Sequence, residues 1–144
     1  MELGRGPASY FDDVDRSYVV AQLEGRMDAP VDLTVTARRS SPLALTPAAG
    51  AEEAAWAMRL GSELSALEPR IRVMLTEEGA GDVPTFTVAV RVRFLGVPRM
   101  NLFRALLETI RRASTGDHGL PEGWAPALSQ LPRPVHAQVF ATPT

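Results

Sequence analysis

Residues 83–98, VPTFTVAVRVRFLGVP, carry apolar residues at alternate positions along most of the stretch. The alternating apolar residues are Phe86, Val88, Val90, Val92 and Phe94. Such a period of two is typical of a strand with one buried face. No Gly, Asn or Asp stands between Pro84 and Gly96, so two alternatives stay open: one long strand, or a hairpin with an atypical tight turn near residues 89–91.

The sequence around this stretch alternates between helix and strand patterns. Helices are predicted over residues 12–25, 47–67 and 101–114, and strands over 31–35 and 71–75. The first helix carries four apolar or aromatic residues on one face: Val14, Tyr18, Val19 and Leu23. The predicted capping residues are Asp12 or Asp13, Thr46 before Pro47, and Asn101. Pro69 forbids continuation of the second helix, and Gly116 follows the third.

The last part of the chain differs in composition, being rich in Gly and Pro from residue 116 onward. One short helix is predicted over residues 124–131, and Trp124 either fastens this linker to the domain or covers an interface with a following unit. The final stretch, PVHAQVFATPT, predicts a strand with apolar residues on alternate positions: Val135, Ala137, Val139 and Ala141. We expect residues 120–142 to be the least integrated part of the chain.

The composition of the chain excludes several kinds of partner, catalytic residue and metal site. The chain has 144 residues, the size of one domain, and a net charge of −2 without a block of like charges, so neither nucleic acid nor an anionic membrane is a favoured partner. All 15 basic residues are arginine, which excludes phosphate loops and Schiff-base mechanisms that need lysine. The absence of cysteine excludes a disulfide, a thiolate nucleophile and a thiolate metal site. Without a signal-peptide pattern at its start, the chain is predicted to be cytoplasmic.

Five stretches resemble the protein disulfide oxidoreductase (glutaredoxin-like) family, which carries two fused thioredoxin-like units. They also resemble the N-terminal domain of the flavoprotein subunit of alkyl hydroperoxide reductase, built on the same two-unit plan. In chain order the stretches are APVDLTVTA (29–37), ELSALEPRIRV (63–73), VPTFTV (83–88), RFLGVPRMNLFRALLETI (93–110) and RPVHAQVFATPT (133–144). The resemblance implies an α/β, thioredoxin-like fold with a small mixed sheet flanked by helices.

The resemblance also implies how the chain is divided and what it does. Residues 12–115 would form a thioredoxin-like unit without cysteines, and residues 116–144 would be a linker, short helix and strand that begin a second unit. The whole protein would carry out thiol-disulfide exchange through a Cys-x-x-Cys motif beyond Thr144. An alternative is a complete, non-catalytic thioredoxin-fold module that binds a protein. The expected partner is therefore a protein or a second unit, and a homodimer formed through the C-terminal strand is a further expectation.

The candidate site is Val83 and Pro84, by resemblance alone. The matching proline of thioredoxin-like proteins is cis, lies beside the redox motif and exposes backbone groups to an extended substrate. We therefore expect a cis bond at this position, with Pro84 close to the loop that follows residue 37. No catalytic residue, metal site or cofactor is predicted.

Other polar residues have simpler interpretations. Ser40 and Ser41 lack a nucleophile elbow and are interpreted as loop residues. His118 and His136 are too few for a metal site. Arg91 and Arg93 are interpreted as the solvent face of a sheet.

Overall fold

The computed structural model describes residues 9–39 and 50–142. Its helices are α1 (Asp13–Leu23), α2 (Ala51–Leu67), α3 (Asn101–Thr115) and α4 (Trp124–Ser129). Its strands are β1 (Val31–Thr36), β2 (Ile71–Thr76), β3 (Thr85–Val88) and β4 (Val92–Leu95). Within the described ranges, no helix is both long enough and apolar enough to cross a membrane.

The strands form one four-stranded mixed sheet in the order β2-β1-β3-β4. The central strand β1 runs parallel to β2 and antiparallel to β3, and β4 is antiparallel to β3. Helix α2 connects the two parallel strands, as a parallel pair requires a crossover. This α/β topology is compatible with a thioredoxin-like fold and confirms the predicted fold class.

The stretch 83–98 forms a hairpin rather than one long strand. Val88 pairs with Val92, and the Arg91 amide donates a hydrogen bond of 3.1 Å to the Val88 carbonyl oxygen. The turn needs φ values of 48° at Ala89 and 64° at Val90. Left-handed backbone costs about 1–2 kcal/mol at a non-glycine residue, and such turns normally contain Asn or Gly. The sequence pattern could not select the hairpin because the residues that usually mark this turn are absent.

Most apolar side chains of the strands point to one face of the sheet, which the helices cover. Helix α2 approaches this face at Gly61, where a Cβ atom would lie 2.9 Å from Val35 Cγ2 and 3.2 Å from Leu75 Cδ2. Buried residues of α3, among them Leu106 and Ile110, belong to the same core cluster. Helices α2 and α3 therefore share one face, although the sequence predicted only that they flank the sheet.

The opposite face of the sheet is mostly polar, with Met74 and Leu95 as its exposed apolar residues within the described ranges. It carries an ion pair of 2.8 Å between Arg72 and Asp32, and the half-buried Thr34 and Thr87, which are register partners. Arg93 is the register partner of Thr87 and lies on the same exposed face, as interpreted from the sequence. A mostly polar face of this kind keeps one side of the mixed sheet in contact with water.

Helix boundaries agree with the sequence at most ends. Asp12 caps α1 through a capping box with Asp15, and Gly116, with φ of 74°, ends α3. The prediction that Asn101 caps α3 is wrong, because Asn101 is the first helical residue and Met100 precedes it with φ of 50°. The prediction that Val14 lies on the buried face of α1 is wrong: Val14, in the first turn, is 76% exposed, whereas Val19 and Leu23 further along the helix are buried. The predicted cap at Thr46 and Pro47 lies outside the described residues.

The predicted C-terminal strand is not formed. Residues 132–141 have no strand structure, and every one of them is exposed. Alternating apolar residues predict a strand only where a neighbouring strand supplies backbone partners, and within the described ranges none pairs with this stretch. The prediction that residues 120–142 are the least integrated part is confirmed, and α4 confirms the short helix, ending at Ser129.

Candidate functional site

The candidate site lies at one corner of the sheet, where β1 ends, α2 begins and the chain enters β3. Pro84 is buried directly before β3, and Arg38 follows β1. These two residues line one small recess together with Gly50, Ala51, Ala54, Gly81 and Asp82. The recess places Pro84 beside the loop that follows residue 37, as the resemblance implies.

The expected cis geometry at Pro84 is wrong. The described ranges contain no cis peptide bond, so the Val83–Pro84 bond is trans. The Pro84 carbonyl oxygen accepts a hydrogen bond of 2.8 Å from the Gly96 amide, which extends the β3–β4 pairing by one step. Extended backbone with a trans bond is the ordinary state of a residue before proline. Val83 is 53% exposed and could still contact a partner, but that role stays a prediction.

Gly50 brings the start of α2 against the loop before β3. Its φ is 80°, and a Cβ atom at this position would lie 2.8 Å from the Asp82 backbone oxygen. Real Cβ atoms do not approach a backbone oxygen so closely, and the left-handed conformation independently disfavours a side chain. Glycine at this position therefore allows the start of α2 to lie directly against the loop before β3.

Replacing Gly50 by alanine is expected to lower the free energy of unfolding by about 2 kcal/mol, because a backbone clash adds to left-handed strain. Gly79 offers a matched control, since its φ is 73° and nothing lies within 4 Å of its Cβ position. Gly79→Ala should show only the strain, about 1 kcal/mol. Urea denaturation measures the free energy of unfolding of both variants. Equal losses would contradict the prediction, because they would mean that the backbone near Asp82 moves away from the new Cβ atom without a cost in stability.

The polar contacts of this corner join Arg38 to the loop before β3. The Arg38 guanidinium donates to the Ala80 carbonyl oxygen at 3.3 Å and lies 3.8 Å from the Asp82 carboxylate. Both of these side chains are mostly exposed, so the ion pair contributes little to stability. The recess has a volume of only about 10 Å³, barely room for one water molecule. Without a thiol, the corner cannot exchange disulfides.

The remaining candidates are scattered. His118 lies in the exposed linker, where its Nδ1 accepts a hydrogen bond of 3.0 Å from the Leu120 amide, and His136 lies in the exposed stretch after α4. Arg91 belongs to the hairpin turn rather than to a strand. Ser40 and Ser41 lie outside the described residues. Throughout residues 9–39 and 50–142, no group of three or more His, Asp or Glu residues is placed to hold a metal ion.

A larger concavity, which the sequence did not reveal, lies between α2 and the start of α3. We call it the aromatic cleft; it has a volume of about 430 Å³. Its lining residues are Tyr10, Phe11, Asp15, Glu52, Trp56, Arg99, Met100 and Phe103. The rings of Tyr10 and Trp56 meet edge to face with centroids 5.6 Å apart, and Phe11 lies 5.4 Å from Phe103. Aromatic contacts of this kind are specific as well as apolar.

Glu63 of α2 holds the N-terminal wall of the cleft in place. Its carboxylate accepts hydrogen bonds from the Tyr10 amide at 2.6 Å, the Ser9 hydroxyl at 2.7 Å and the Phe11 amide at 3.1 Å. Burial raises the pKa of Glu63, but these hydrogen bonds and Arg16 outweigh burial, so the pKa lies below its ordinary value. The ring of Tyr10 is thereby fixed against Trp56.

Sequence analysis missed the aromatic cleft because its residues come from three separate parts of the chain. The helical spacing of Trp56 with Leu60, Leu64 and Leu67 predicts a core residue, yet Trp56 is only half-buried at the edge of the core. The adjacent pair Tyr10 and Phe11, directly before the capping residue Asp12, was the available signal.

Comparison with known proteins finds neither a family model nor a curated protein that matches this chain.

Proposed function

We propose that this chain is the redox-inactive, thioredoxin-like N-terminal portion of a protein disulfide oxidoreductase. Its role would be to provide framework and contact surface for a catalytic unit that follows it. One observation carries the proposal: the fold is compatible with a thioredoxin-like unit, while the chain contains no cysteine. The resemblance of five stretches to a two-unit family adds to this argument.

The exchange reaction itself would belong to residues beyond Thr144. There a cysteine thiolate would attack one sulfur of a substrate disulfide, forming a mixed disulfide and releasing the other sulfur as a thiolate. A second cysteine would then attack the mixed disulfide, so that the enzyme is oxidised and the substrate leaves fully reduced. No residue of this chain can take the part of either sulfur, because a serine hydroxyl forms no disulfide.

Sequencing the gene beyond codon 144 tests this proposal directly. A continuing reading frame with a Cys-x-x-Cys motif soon after Thr144 is the expected result, whereas a stop codon at that point would overturn the two-unit proposal. The 144-residue chain alone is expected not to accelerate insulin reduction by dithiothreitol. Acceleration above the buffer rate would contradict a redox-inactive role.

The second candidate is a complete, non-catalytic module that binds a protein. The aromatic cleft favours it, because its wall combines Tyr, Trp, Phe, Met and Arg side chains, the residue types that are enriched at protein–protein interfaces. A stop codon after Thr144, with a defined partner recovered from native cells by the 144-residue form, would support this candidate over the first. A cytoplasmic setting stays a prediction from the sequence under both candidates.

A further inference from the structure

Two acidic residues of the aromatic cleft, Asp15 and Glu52, have no ion-pair partner within the described ranges. Arg99, the one basic residue among the described lining residues, is held by Glu53 at 2.9 Å. The cleft therefore suits a ligand that combines apolar surface with a positive charge.

The ring of Trp56 already accepts a guanidinium on one side. Arg59 lies with its guanidinium carbon 5.0 Å from the Trp56 ring centroid. Such stacking is characteristic of arginine, whose planar group binds aromatic faces and carboxylates at the same time. A second arginine entering the aromatic cleft would find aromatic rings beside the carboxylates of Asp15 and Glu52.

The chain itself carries a segment of matching chemistry, residues 132–141, which we call the tail. No Asp or Glu follows Glu122, so Arg133 is the one permanent charge of the tail. Three apolar residues of the tail are left in water: Val135 is 74% exposed, Val139 is 89% exposed and Phe140 is 92% exposed. Arg133 has no ion-pair partner within the described ranges.

The prolines of the tail indicate how it would bind. Pro132 and Pro134 flank Arg133, so this part of the tail favours an extended polyproline conformation and has two positions without a backbone donor. Missing donors disfavour addition to a sheet edge, which requires regular backbone hydrogen bonds. Extended proline-containing segments instead dock in grooves lined by aromatic residues.

Under the second candidate function, in which residues 132–141 are not the first strand of a following unit, we propose that the tail of one copy docks in the aromatic cleft of a second copy, and that the exchange is reciprocal. Arg133 enters between the aromatic rings and pairs with the carboxylates of Glu52 and Asp15, while Pro132, Pro134 and Val135 cover the apolar wall. The two-fold exchange doubles the contact area, which a single short segment would not supply. This contact replaces the dimer through a C-terminal strand that the sequence suggested, and it involves no thiol chemistry.

Sedimentation velocity of the full chain, at concentrations up to about 0.5 mM, tests the proposal. The wild-type chain is expected to dimerise, and Arg133→Glu is expected to weaken the dimer by about 30-fold, because it places like charges together. The double variant Arg133→Glu with Glu52→Arg should regain most of that loss. Arg93→Glu, on the exposed polar face of the sheet, is the matched control and should leave dimerisation unchanged.

Fluorescence gives an independent measurement. The chain has two tryptophans, so Trp124→Phe leaves Trp56 as the single reporter in the aromatic cleft. Its emission should shift to shorter wavelength as the dimer forms, and circular dichroism checks that every variant is folded.

Four results would overturn the proposal. The wild-type chain could stay monomeric, or its dimer could be insensitive to Arg133→Glu. The dimer could also be lost with Arg93→Glu, or the double variant Arg133→Glu with Glu52→Arg could fail to recover dimerisation.

Discussion

Replacing Phe86 by alanine is expected to lower the free energy of unfolding by about 4 kcal/mol, a large part of the 5–15 kcal/mol that holds a domain folded. Phe86 is fully buried and lies on β3, between its register partners Val35 of β1 and Phe94 of β4. Removing the ring leaves a cavity at the centre of the sheet, where neighbours on both sides are fixed by backbone hydrogen bonds.

Phe140→Ala is the control for this measurement, because the same atoms are removed from a side chain that is 92% exposed. Its effect should stay below about 0.5 kcal/mol. Urea denaturation at a concentration low enough to keep the chain monomeric compares the two variants. Similar losses would show that the side chain of Phe86 is not part of a packed core.

Gly61→Val is expected to lower the free energy of unfolding by about 3 kcal/mol, because the new side chain overpacks the space between α2 and the sheet. A Cβ atom alone would lie 2.9 Å from Val35 Cγ2 and 3.2 Å from Val73 Cγ1. A branched side chain must therefore displace the helix or push the strand side chains out of their rotamers.

Ala66→Val separates overpacking from helix propensity. Ala66 lies on the exposed side of the same helix, so a valine there should cost only about 0.5 kcal/mol. Thermal unfolding of both variants provides the comparison. A Gly61→Val variant as stable as Ala66→Val would mean that α2 can move away from the sheet without loss.

The sequence predicted an element correctly where the local pattern of residues agrees with the contacts that the folded chain provides. β1 alternates because one side faces the core, and α1 begins at Asp13 because the carboxylate of Asp12 accepts a hydrogen bond from the free backbone amide of Asp15. The hairpin stayed undecided because Ala89 and Val90 are forced into left-handed backbone by strand pairing, and neither residue indicates such a turn by itself.

The errors have a common physical origin. The alternation of residues 135–141 predicts a strand, and the resemblance of Val83-Pro84 predicts a cis bond, but each prediction depends on a particular neighbouring segment. In the described structure no strand lies beside residues 135–141, and the Val83–Pro84 bond is an ordinary trans bond. The aromatic cleft escaped detection for the opposite reason, since Tyr10, Trp56 and Phe103 become neighbours only after the helices have packed.

The central place of β1 has a consequence for synthesis of the chain. Its two neighbours begin at Ile71 and Thr85, about 40 and 50 residues after β1 itself. The sheet can therefore close only after β2 and β3 have both left the ribosome. A nascent chain in which β1 has emerged but β3 has not exposes an unpaired strand edge and apolar side chains, which makes that intermediate prone to aggregation.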